Sequence, residues 1–400
     1  MNSKRLTWTV CVAALTWACV ESPEGALAPS LDMGGMGRPA VLVNPDGNGN
    51  GTARTIQEGI DMVGDGGRVM VLPGTYEEAL VIDKRLTLEA VGAESGPVVV
   101  APTTAPVAVI TVVTEEAVAI RGLTIQGGTI GIRFNGVAAN LTVERTLVRG
   151  LTSGALGGIT SVWAAPPGAG PARLVVRDSR IEGDAVRPSS GISAQGDVDV
   201  VLERNIVRRT ATRCINIAFG ATAFVTTTAD VMHNDLDECG IASGIAVTTN
   251  GPKTGVRTAN VVGNIIRNSG GELVRNGIYY EGFAGRIEHN SIVGVVLPSA
   301  NPNQENLAGC CVVVPAGIFV GTFRAAPNAN VTVQFNDVTG NAFAGLRVQQ
   351  ATSVTATCTW WGAASGPSGA GSGSGDAVVG PATFSPWAAA AIAGTETTGC

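Results

Sequence analysis

The stretch VMHNDLDECG, residues 231–240, concentrates side chains that could do acid, base or metal chemistry. It contains His233, one of only two histidines in the chain, followed closely by Asp235, Glu238 and Cys239. Imidazole and carboxylate groups held together could transfer protons in a hydrolase or lyase, or could bind a metal ion. The same residues could equally form a charged bend, so the choice depends on the elements that position them.

A second candidate is DGNGNG, residues 46–51, which matches the start of a calcium-binding loop. Asp46, Asn48 and Asn50 occupy positions whose side-chain oxygens would coordinate the ion. Such a loop needs a bidentate glutamate at its twelfth position, and here that position is Gln57. A Gly/Asn turn is therefore the favoured interpretation, with calcium as the alternative, and no other cofactor is predicted.

Short segments of one type recur along the chain and include the 231–240 stretch. Each has a polar residue, with an aliphatic residue three positions before it and another two positions after it. These polar residues are Thr146, Ser179, Asn205, Asn234, Asn264, Asn290 and Asn336. A second recurring position follows, in which a small residue or Cys precedes an aliphatic residue and an alternating strand.

Two short strands per repeat, with Asn and Gly at the bends, are typical of a β-solenoid. Its coils stack about 4.8 Å apart, pair their backbones in parallel and bury the inward aliphatic residues. We expect the asparagines to lie in one column with their amides hydrogen-bonded along it. We also expect them to take the left-handed backbone geometry of the bend, which Asn tolerates.

Both ends of the repeat carry recognisable segments. Residues 55–92 contain a short amphipathic helix, a strand and a Pro-Gly-x-Tyr turn, and the C-terminal region contains CTWWGAASGPSG followed by FSPW. With the columns, these segments resemble the right-handed parallel β-helix of the pectin-lyase-like families over about residues 41–390. The resemblance implies an all-β fold, a right-handed parallel β-helix (solenoid) with an N-terminal capping helix and a Trp-rich C-terminal cap.

The resemblance does not extend to catalytic motifs. The signature segments of pectin methylesterases, polygalacturonases and pectate lyases have no counterpart in this sequence, so no catalytic residue is carried over. The columns also make a catalytic or metal site at residues 231–240 less favoured. Asn234 is one of the recurring polar residues, which we call slot residues, and His233 directly before it therefore flanks a bend. His289 is two coils away, at about 9–10 Å, which is too far to share a zinc ion.

One face of the predicted second strand could bind a sugar. The outward positions include Asn216, Tyr279, Phe319 and Arg347, and Glu281 lies two residues beyond Tyr279. Tyr279 and Phe319 would stack on neighbouring coils and contact the apolar face of a sugar ring, while Glu281, Arg347 and Asn216 would bind its hydroxyl groups. The long insertion at 296–311 interrupts the repeat, and it would either form a wall beside Tyr279 and Phe319 or cover them.

Three functional hypotheses follow. The favoured one is an exported β-helix protein that binds a polysaccharide or cell-surface glycan without turning it over. The alternative is a polysaccharide lyase or glycoside hydrolase with an unrecognised site, whose catalytic candidates are Glu281, Arg347, His233 and Asp235. The third is a structural or adhesin-like rod. Because the net charge is −6, with no basic face, a nucleic-acid partner is not expected.

The N-terminus indicates export, to the extracellular space or to the outer membrane of a bacterium. MNSKR followed by an apolar stretch predicts a signal peptide at 1–18, with Cys19 either lipidated, as the only membrane contact, or lost by nearby cleavage. A tether is predicted at 19–40. The predicted cap and first coils (41–100), further coils (101–358) and C-terminal cap and tail (359–400) follow.

An exported chain can form disulfide bonds. Without Cys11 and Cys19, six cysteines remain, and the sequence does not assign their pairing. They are Cys214, Cys239, Cys310, Cys311, Cys358 and Cys400.

Overall fold

The computed structural model describes residues 38–47, 52–134, 140–152, 154, 156–163, 171–219, 227–249, 257–267, 276–295, 315–321, 329–392 and 400. Within these ranges the chain winds as a right-handed parallel β-helix, which confirms the predicted fold class. Between residues 63 and 349, each coil contributes a strand to sheet 1, then to sheet 2, then to sheet 3. No helix in the described part of the chain is long and apolar enough to span a membrane.

The three sheets consist of parallel strands that come from successive coils. Sheet 1 contains β1 Arg38–Val43, β2 Thr52–Ala53, β3 Val63–Val71, β6 Leu86–Ala90, β9 Val118–Arg121, β12 Asn140–Glu144, β15 Ala172–Arg177, β18 Val198–Glu203, β21 Thr227–Met232, β24 Arg257–Val262, β27 Ala284–Glu288, β30 Asn330–Gln334, β33 Val354–Thr355 and β36 Ala382–Thr383. Sheet 2 contains β4 Gly74–Tyr76, β7 Val98–Val100, β10 Leu123–Gln126, β13 Leu147–Arg149, β16 Arg180–Glu182, β19 Ile206–Arg208, β22 Asp235–Asp237, β25 Ile265–Arg267, β28 Ser291–Val293 and β31 Asp337–Thr339. Sheet 3 contains β5 Leu80–Ile82, β8 Ala108–Val112, β11 Ile130–Phe134, β14 Gly157–Trp163, β17 Ser190–Gly196, β20 Arg213–Phe219, β23 Ser243–Thr249, β26 Asn276–Glu281, β29 Ala316–Gly321, β32 Leu346–Gln349, β34 Pro367–Gly369 and β35 Gly375–Val379.

The predicted asparagine column is confirmed, and it is buried inside the turn from sheet 1 to sheet 2. Asn234 Oδ1 accepts the backbone N–H of Asn205 at 3.0 Å and its Nδ2 at 2.9 Å. Asn234 makes the same two bonds to Asn264 Oδ1, and the pattern continues to Asn290 and Asn336. Because each amide bonds both neighbouring coils, the column fixes their register and satisfies backbone groups that have no access to water.

One part of that prediction was wrong. The asparagines do not take the left-handed geometry; the residue before each slot does. Those residues have φ between 49° and 67° and are Arg145, Asp178, Arg204, His233, Gly263, His289, Phe335 and Cys358. Cys358 precedes Thr359, which continues the column because its Oγ1 accepts the Asn336 N–H at 3.4 Å. The asparagine side chain is selected for hydrogen bonds inside the coil, and the strained backbone position lies outside it, where long side chains project into solvent.

The predicted capping helix is α1, Ile56–Met62, and it closes the first coil. Ile56 and Ile60 are buried against the core, while Thr55 Oγ1 accepts the Glu58 N–H at 3.1 Å. Strand β5 is the edge of sheet 3, where its backbone would lack a partner. Gln57 supplies one, because its Oε1 accepts the Val81 N–H at 2.9 Å and its Nε2 donates to the Val81 carbonyl at 3.2 Å.

Replacing Gln57 with Leu is expected to lower the free energy of unfolding by about 1–2 kcal/mol, because the backbone N–H and carbonyl of Val81 both lose their hydrogen-bond partner. Urea-induced unfolding followed by far-UV circular dichroism measures the change. Gln349→Leu serves as the control, because Gln349 is an exposed residue of β32 and its loss should change stability by less than about 0.5 kcal/mol. Equal effects of the two substitutions would contradict the edge-capping role.

The predicted C-terminal Trp cap is also confirmed. Trp361 is fully buried at the end of the core. The Trp387 ring packs on Gly366, and its Nε1 donates to the Ala364 carbonyl at 3.2 Å. Trp360 is only half-buried and forms an isolated bridge with Asp337. A solenoid needs such closure because its last coil would otherwise expose apolar residues and unpaired strands.

Two disulfide bonds are present in the described part of the chain. Cys214 pairs with Cys239 and Cys358 pairs with Cys400, each with a Cα–Cα distance of 5.1 Å. Cys310 and Cys311 lie outside the described residues. The first bond joins the beginning of β20 to the bend after β22 and therefore links neighbouring coils at sheet 3.

Candidate functional site

The 231–240 stretch contains the end of β21, the bend at His233 and Asn234, and strand β22, and its side chains contact neighbouring coils. His233 donates its backbone N–H to the Val262 carbonyl at 2.9 Å, and its ring packs over Gly263. Asp235 lies on the outer face of sheet 2, where it forms ion pairs with Arg208 at 3.5 Å and with Arg267. These are the contacts of a charged bend, and a catalytic role for His233 or Asp235 stays a prediction.

The remaining members of that stretch also have partners. Glu238 pairs with Arg187 at 3.3 Å, and Cys239 is in the disulfide bond. Among the described residues, no three His, Cys, Asp or Glu side chains come together in a way that could hold a metal ion.

The calcium-loop candidate is only partly described. Asp46 is exposed and donates its backbone N–H to Asn44 Oδ1 at 3.1 Å, as in a turn. Asn48 and Asn50 lie outside the described residues. Gln57, at the twelfth position, is engaged with β5. Calcium binding at Asp46 therefore stays a prediction.

The outer face of sheet 3 collects the predicted sugar-binding residues. Backbone register pairs Tyr279 with Phe319 and Phe319 with Arg347, while Asn216 lies two coils earlier in the same column. Glu281 lies two residues along β26, on the same face. The predicted placement is thus confirmed, whereas a binding role for these residues stays a prediction.

The aromatic pair is stacked as expected and is mostly shielded. The ring centroids of Tyr279 and Phe319 are 4.9 Å apart, and the rings are inclined by 8°. Phe319 is only 2% exposed and its ring lies along Gly321, while Tyr279 is half-buried. A ligand at this pair would therefore contact Tyr279 first. Residues 296–311, expected to form a wall or a cover here, lie outside the described residues.

Glu281 is hydrogen-bonded to Tyr279 of its own strand, β26. It is 3% exposed, and its Oε2 accepts a hydrogen bond from the Tyr279 hydroxyl at 3.3 Å. Arg347 is half-buried at the next coil but one. The carboxylate thus orients the Tyr279 ring, and the ring in turn limits access to the carboxylate.

A break in the inward–outward alternation adds a second outward column, which the sequence did not predict. Glycines near the start of the sheet 3 strands point inward, because a Cβ on Gly131, Gly158 or Gly277 would lie 2.5 Å from a core side chain. Two consecutive positions therefore face the core, and the residue before each glycine or Cys turns outward. This column contains Ser190, Arg213, Ser243 and Asn276. The sequence feature that could have predicted this column is the small residue or Cys that recurs directly before the inward aliphatic residue.

Polar groups on this face are partly unsatisfied. Ser193 Oγ accepts hydrogen bonds from Asn216 Nδ2 at 3.2 Å and from Gln195 Nε2 at 3.3 Å. By contrast, Arg213 Nε and Asn276 Oδ1 are buried atoms without a hydrogen-bond partner. Burial also lowers the pKa of Arg213, because it disfavours the charged form. Unpartnered buried polar atoms are rare in folded proteins and often mark a place that a ligand or water completes.

The parallel register of three sheets, the buried asparagine column and the two caps decide the fold. The chain has a right-handed parallel β-helix fold. No family model matches it, and no curated protein matches its sequence.

Two solved structures are similar to this β-helix. One is the A-module of a mannuronan C-5 epimerase from Azotobacter vinelandii, which is 14% identical over 81% of this chain and 90% of that chain, with a TM-score of 0.42. Another is a pectin methylesterase mutant in complex with a hexasaccharide, 12% identical over 75% of this chain and 79% of that chain, with a TM-score of 0.30. No residue role or activity is carried over from either.

Proposed function

We propose that the protein binds a polysaccharide or cell-surface glycan on the outer face of sheet 3 without turning it over. The parallel Tyr279–Phe319 stack beside hydrogen-bonding groups supports this proposal best. A half-buried tyrosine ring with polar neighbours suits a sugar, whose CH groups pack on the ring while its hydroxyl groups bind the polar atoms. The shielded, hydrogen-bonded Glu281 favours binding over catalysis.

Export supports a glycan as partner. The Cys214–Cys239 and Cys358–Cys400 bonds suit an oxidising compartment, and the signal-like sequence at 1–18 suits secretion. A lipid on Cys19 would keep the β-helix at a bacterial outer membrane, whereas cleavage would release it.

Tyr279→Ala is expected to weaken glycan binding about tenfold, because the accessible ring of the stack is lost. Binding is measured on a glycan array and then by isothermal titration calorimetry with the glycans that score. Phe335→Ala is the matched control, since Phe335 also belongs to a stacked pair, with His289 at 5.3 Å, but lies at the bend between sheets 1 and 2.

The same glycans are assayed for new reducing ends and unsaturated products. Turnover abolished by Glu281→Gln would replace the binding proposal with a lyase or hydrolase. An unchanged affinity in Tyr279→Ala would move the site away from sheet 3, and no binding to any glycan would favour a structural rod.

A further inference from the structure

Charges alternate in sign from coil to coil along the outer face of sheet 2. Each coil presents the last residue of its strand and the bend that follows the strand. From β16 to β25 the acidic and basic residues that alternate at these positions are Glu182 and Asp184, then Arg208 and Arg209, then Asp237 and Glu238, then Arg267. The face therefore consists of stripes that change sign about every 4.8 Å along the axis. Arg180 and Arg187 depart from this order, and they pair with Glu182 and Glu238.

Ion pairs within the chain explain only part of this pattern. A single column alternates in sign because like charges on neighbouring coils would repel, and Arg209 accordingly pairs with Asp184 at 3.4 Å. That repulsion does not require neighbouring columns to be in phase. Yet Arg208 and Arg209 lie side by side on one coil, and Asp237 and Glu238 lie side by side on the next. A checkerboard would pair charges along and across the face, so the in-phase stripes favour a contact outside the chain.

The charged groups remain accessible to such a contact. Arg209 and Glu238 keep 42% and 46% of their side chains exposed, although each has an ion pair within the chain. Arg208 keeps 36% exposed, and its contact with Asp235 is 3.5 Å long. Surface ion pairs of this kind contribute little to stability, so a partner that offers opposite charge can share or replace them.

We propose that the outer face of sheet 2 binds a second copy of this chain, with the two β-helices antiparallel. A two-fold axis between β19 and β22 places the basic coil of one copy opposite the acidic coil of the other, and the reverse. Arg208 then faces the partner's Asp237, and Arg209 faces the partner's Glu238. The coils on either side, β16 and β25, match in the same way, acidic against basic. A parallel pair in the same register would place like charges opposite each other.

The pattern fits a second copy because its signs reverse about its own midpoint. A polyanion or a polycation would meet stripes of both signs and would be repelled by half of them. The four coils span only about 15 Å, so the buried area is smaller than the roughly 800 Å² per partner of standard complexes. We therefore expect a weak dimer that depends on charge and dissociates in salt. The contact uses sheet 2 and leaves the candidate glycan-binding face of sheet 3 uncovered.

Sedimentation equilibrium of the full-length protein tests the contact. We expect a monomer–dimer equilibrium at about 0.1 M salt, and a dissociation constant at least about tenfold higher at about 1 M salt, where the Debye length falls to about 3 Å. A protein that stays monomeric at low salt would overturn the proposal, and so would a dimer that salt strengthens.

Charge reversal locates the interface. The variant Arg208→Glu/Arg209→Glu should be monomeric, and so should Asp237→Lys/Glu238→Lys, because each places like charges opposite each other across the two-fold axis. An equimolar mixture of these two variants should associate again, since every facing pair is then of opposite sign. A mixture that stays monomeric, with both variants folded by circular dichroism, would overturn the proposal.

A double reversal on another face is the matched control. Arg173→Glu/Arg177→Glu lies on sheet 1, where Arg177 pairs with Glu203 at 3.3 Å, and it should dimerise like the unchanged protein. Equal loss of the dimer in this control would assign the effect to net charge and reject sheet 2 as the interface. Because mixing cannot rescue a misfolded chain, association of the two sheet 2 variants distinguishes a lost contact from a lost fold.

Discussion

Replacing Asn264 with Ala should lower the free energy of unfolding by about 4 kcal/mol, one of the two largest effects expected in this protein. Asn264 is fully buried, and its Oδ1 accepts both the backbone N–H and Nδ2 of Asn234. Its own Nδ2 donates to Asn290 Oδ1 at 3.0 Å and to the Val231 carbonyl at 2.8 Å. Truncation leaves the Asn234 N–H without its partner and removes one hydrogen bond each from Asn234 Nδ2, the Val231 carbonyl and Asn290 Oδ1, on the two coils that flank Asn264. These groups are buried, so water cannot replace the lost bonds.

The control separates the buried column from an ordinary surface amide. Asn260 is half-buried on the outer face of sheet 1, and its Nδ2 donates to Asp230 Oδ1 at 2.8 Å, so Asn260→Ala should cost less than about 1 kcal/mol. Asn264→Ser should fall between the two, since Ser179 fills the same slot and its Oγ accepts the Thr146 N–H at 3.2 Å. Urea unfolding of the three variants gives the order. Equal losses in Asn264→Ala and Asn260→Ala would show that the column does not hold the coils together.

The slot residues show why periodicity was sufficient for the fold. In a stacked coil each side chain is defined by its column, and a column repeats the same environment about every 4.8 Å. Aliphatic residues such as Ile192, Ile215 and Ile245 are therefore constrained to alternate in phase, and the sequence shows that phase directly. The parallel pairing and the end caps could be predicted for this reason.

The left-handed bend could not be assigned to the correct residue from propensity. Asn tolerates that geometry, yet the structure gives it to His233 and other long residues. The buried hydrogen-bonding requirement of the coil outweighs the roughly 1–2 kcal/mol cost of the backbone conformation at the neighbouring position. Conformational propensity is a property of a single residue, whereas hydrogen bonds among three stacked coils determine which residue takes the left-handed geometry here.

The candidate site was only half predictable for a related reason. Strict alternation along the strand placed Tyr279 and Phe319 outward correctly, because they follow the inward aliphatic residue. Arg213 and Asn276 each come before two consecutive inward positions, where alternation is broken and a period-2 argument gives the wrong face. The first of these inward positions is a small residue, Gly277 or Cys214, close to the next coil or to the core, which becomes visible only with the stacking geometry.

Trp361→Ala is expected to destabilise the C-terminal coils by about 3–5 kcal/mol, because the largest fully buried side chain closes that end of the core. A Cβ on Gly345 would lie 3.0 Å from the Trp361 ring, so the indole packs directly on the last coils. Trp361→Phe should cost less than half as much, since the buried Nε1 has no partner to lose. Trp360→Ala, at a half-buried neighbour, should cost about 1 kcal/mol.

The region that unfolds first in Trp361→Ala shows whether Trp361 closes the last coil or contributes to core packing in general. Coils of a solenoid contact only their neighbours, so loss of the cap should open the chain from this end. Limited proteolysis with mass spectrometry should therefore show early cleavage of Trp361→Ala within 329–392, while 52–134 stays protected. Simultaneous cleavage of both regions would contradict this, because it would mean that the coils unfold as one cooperative unit and that Trp361 stabilises all of them equally.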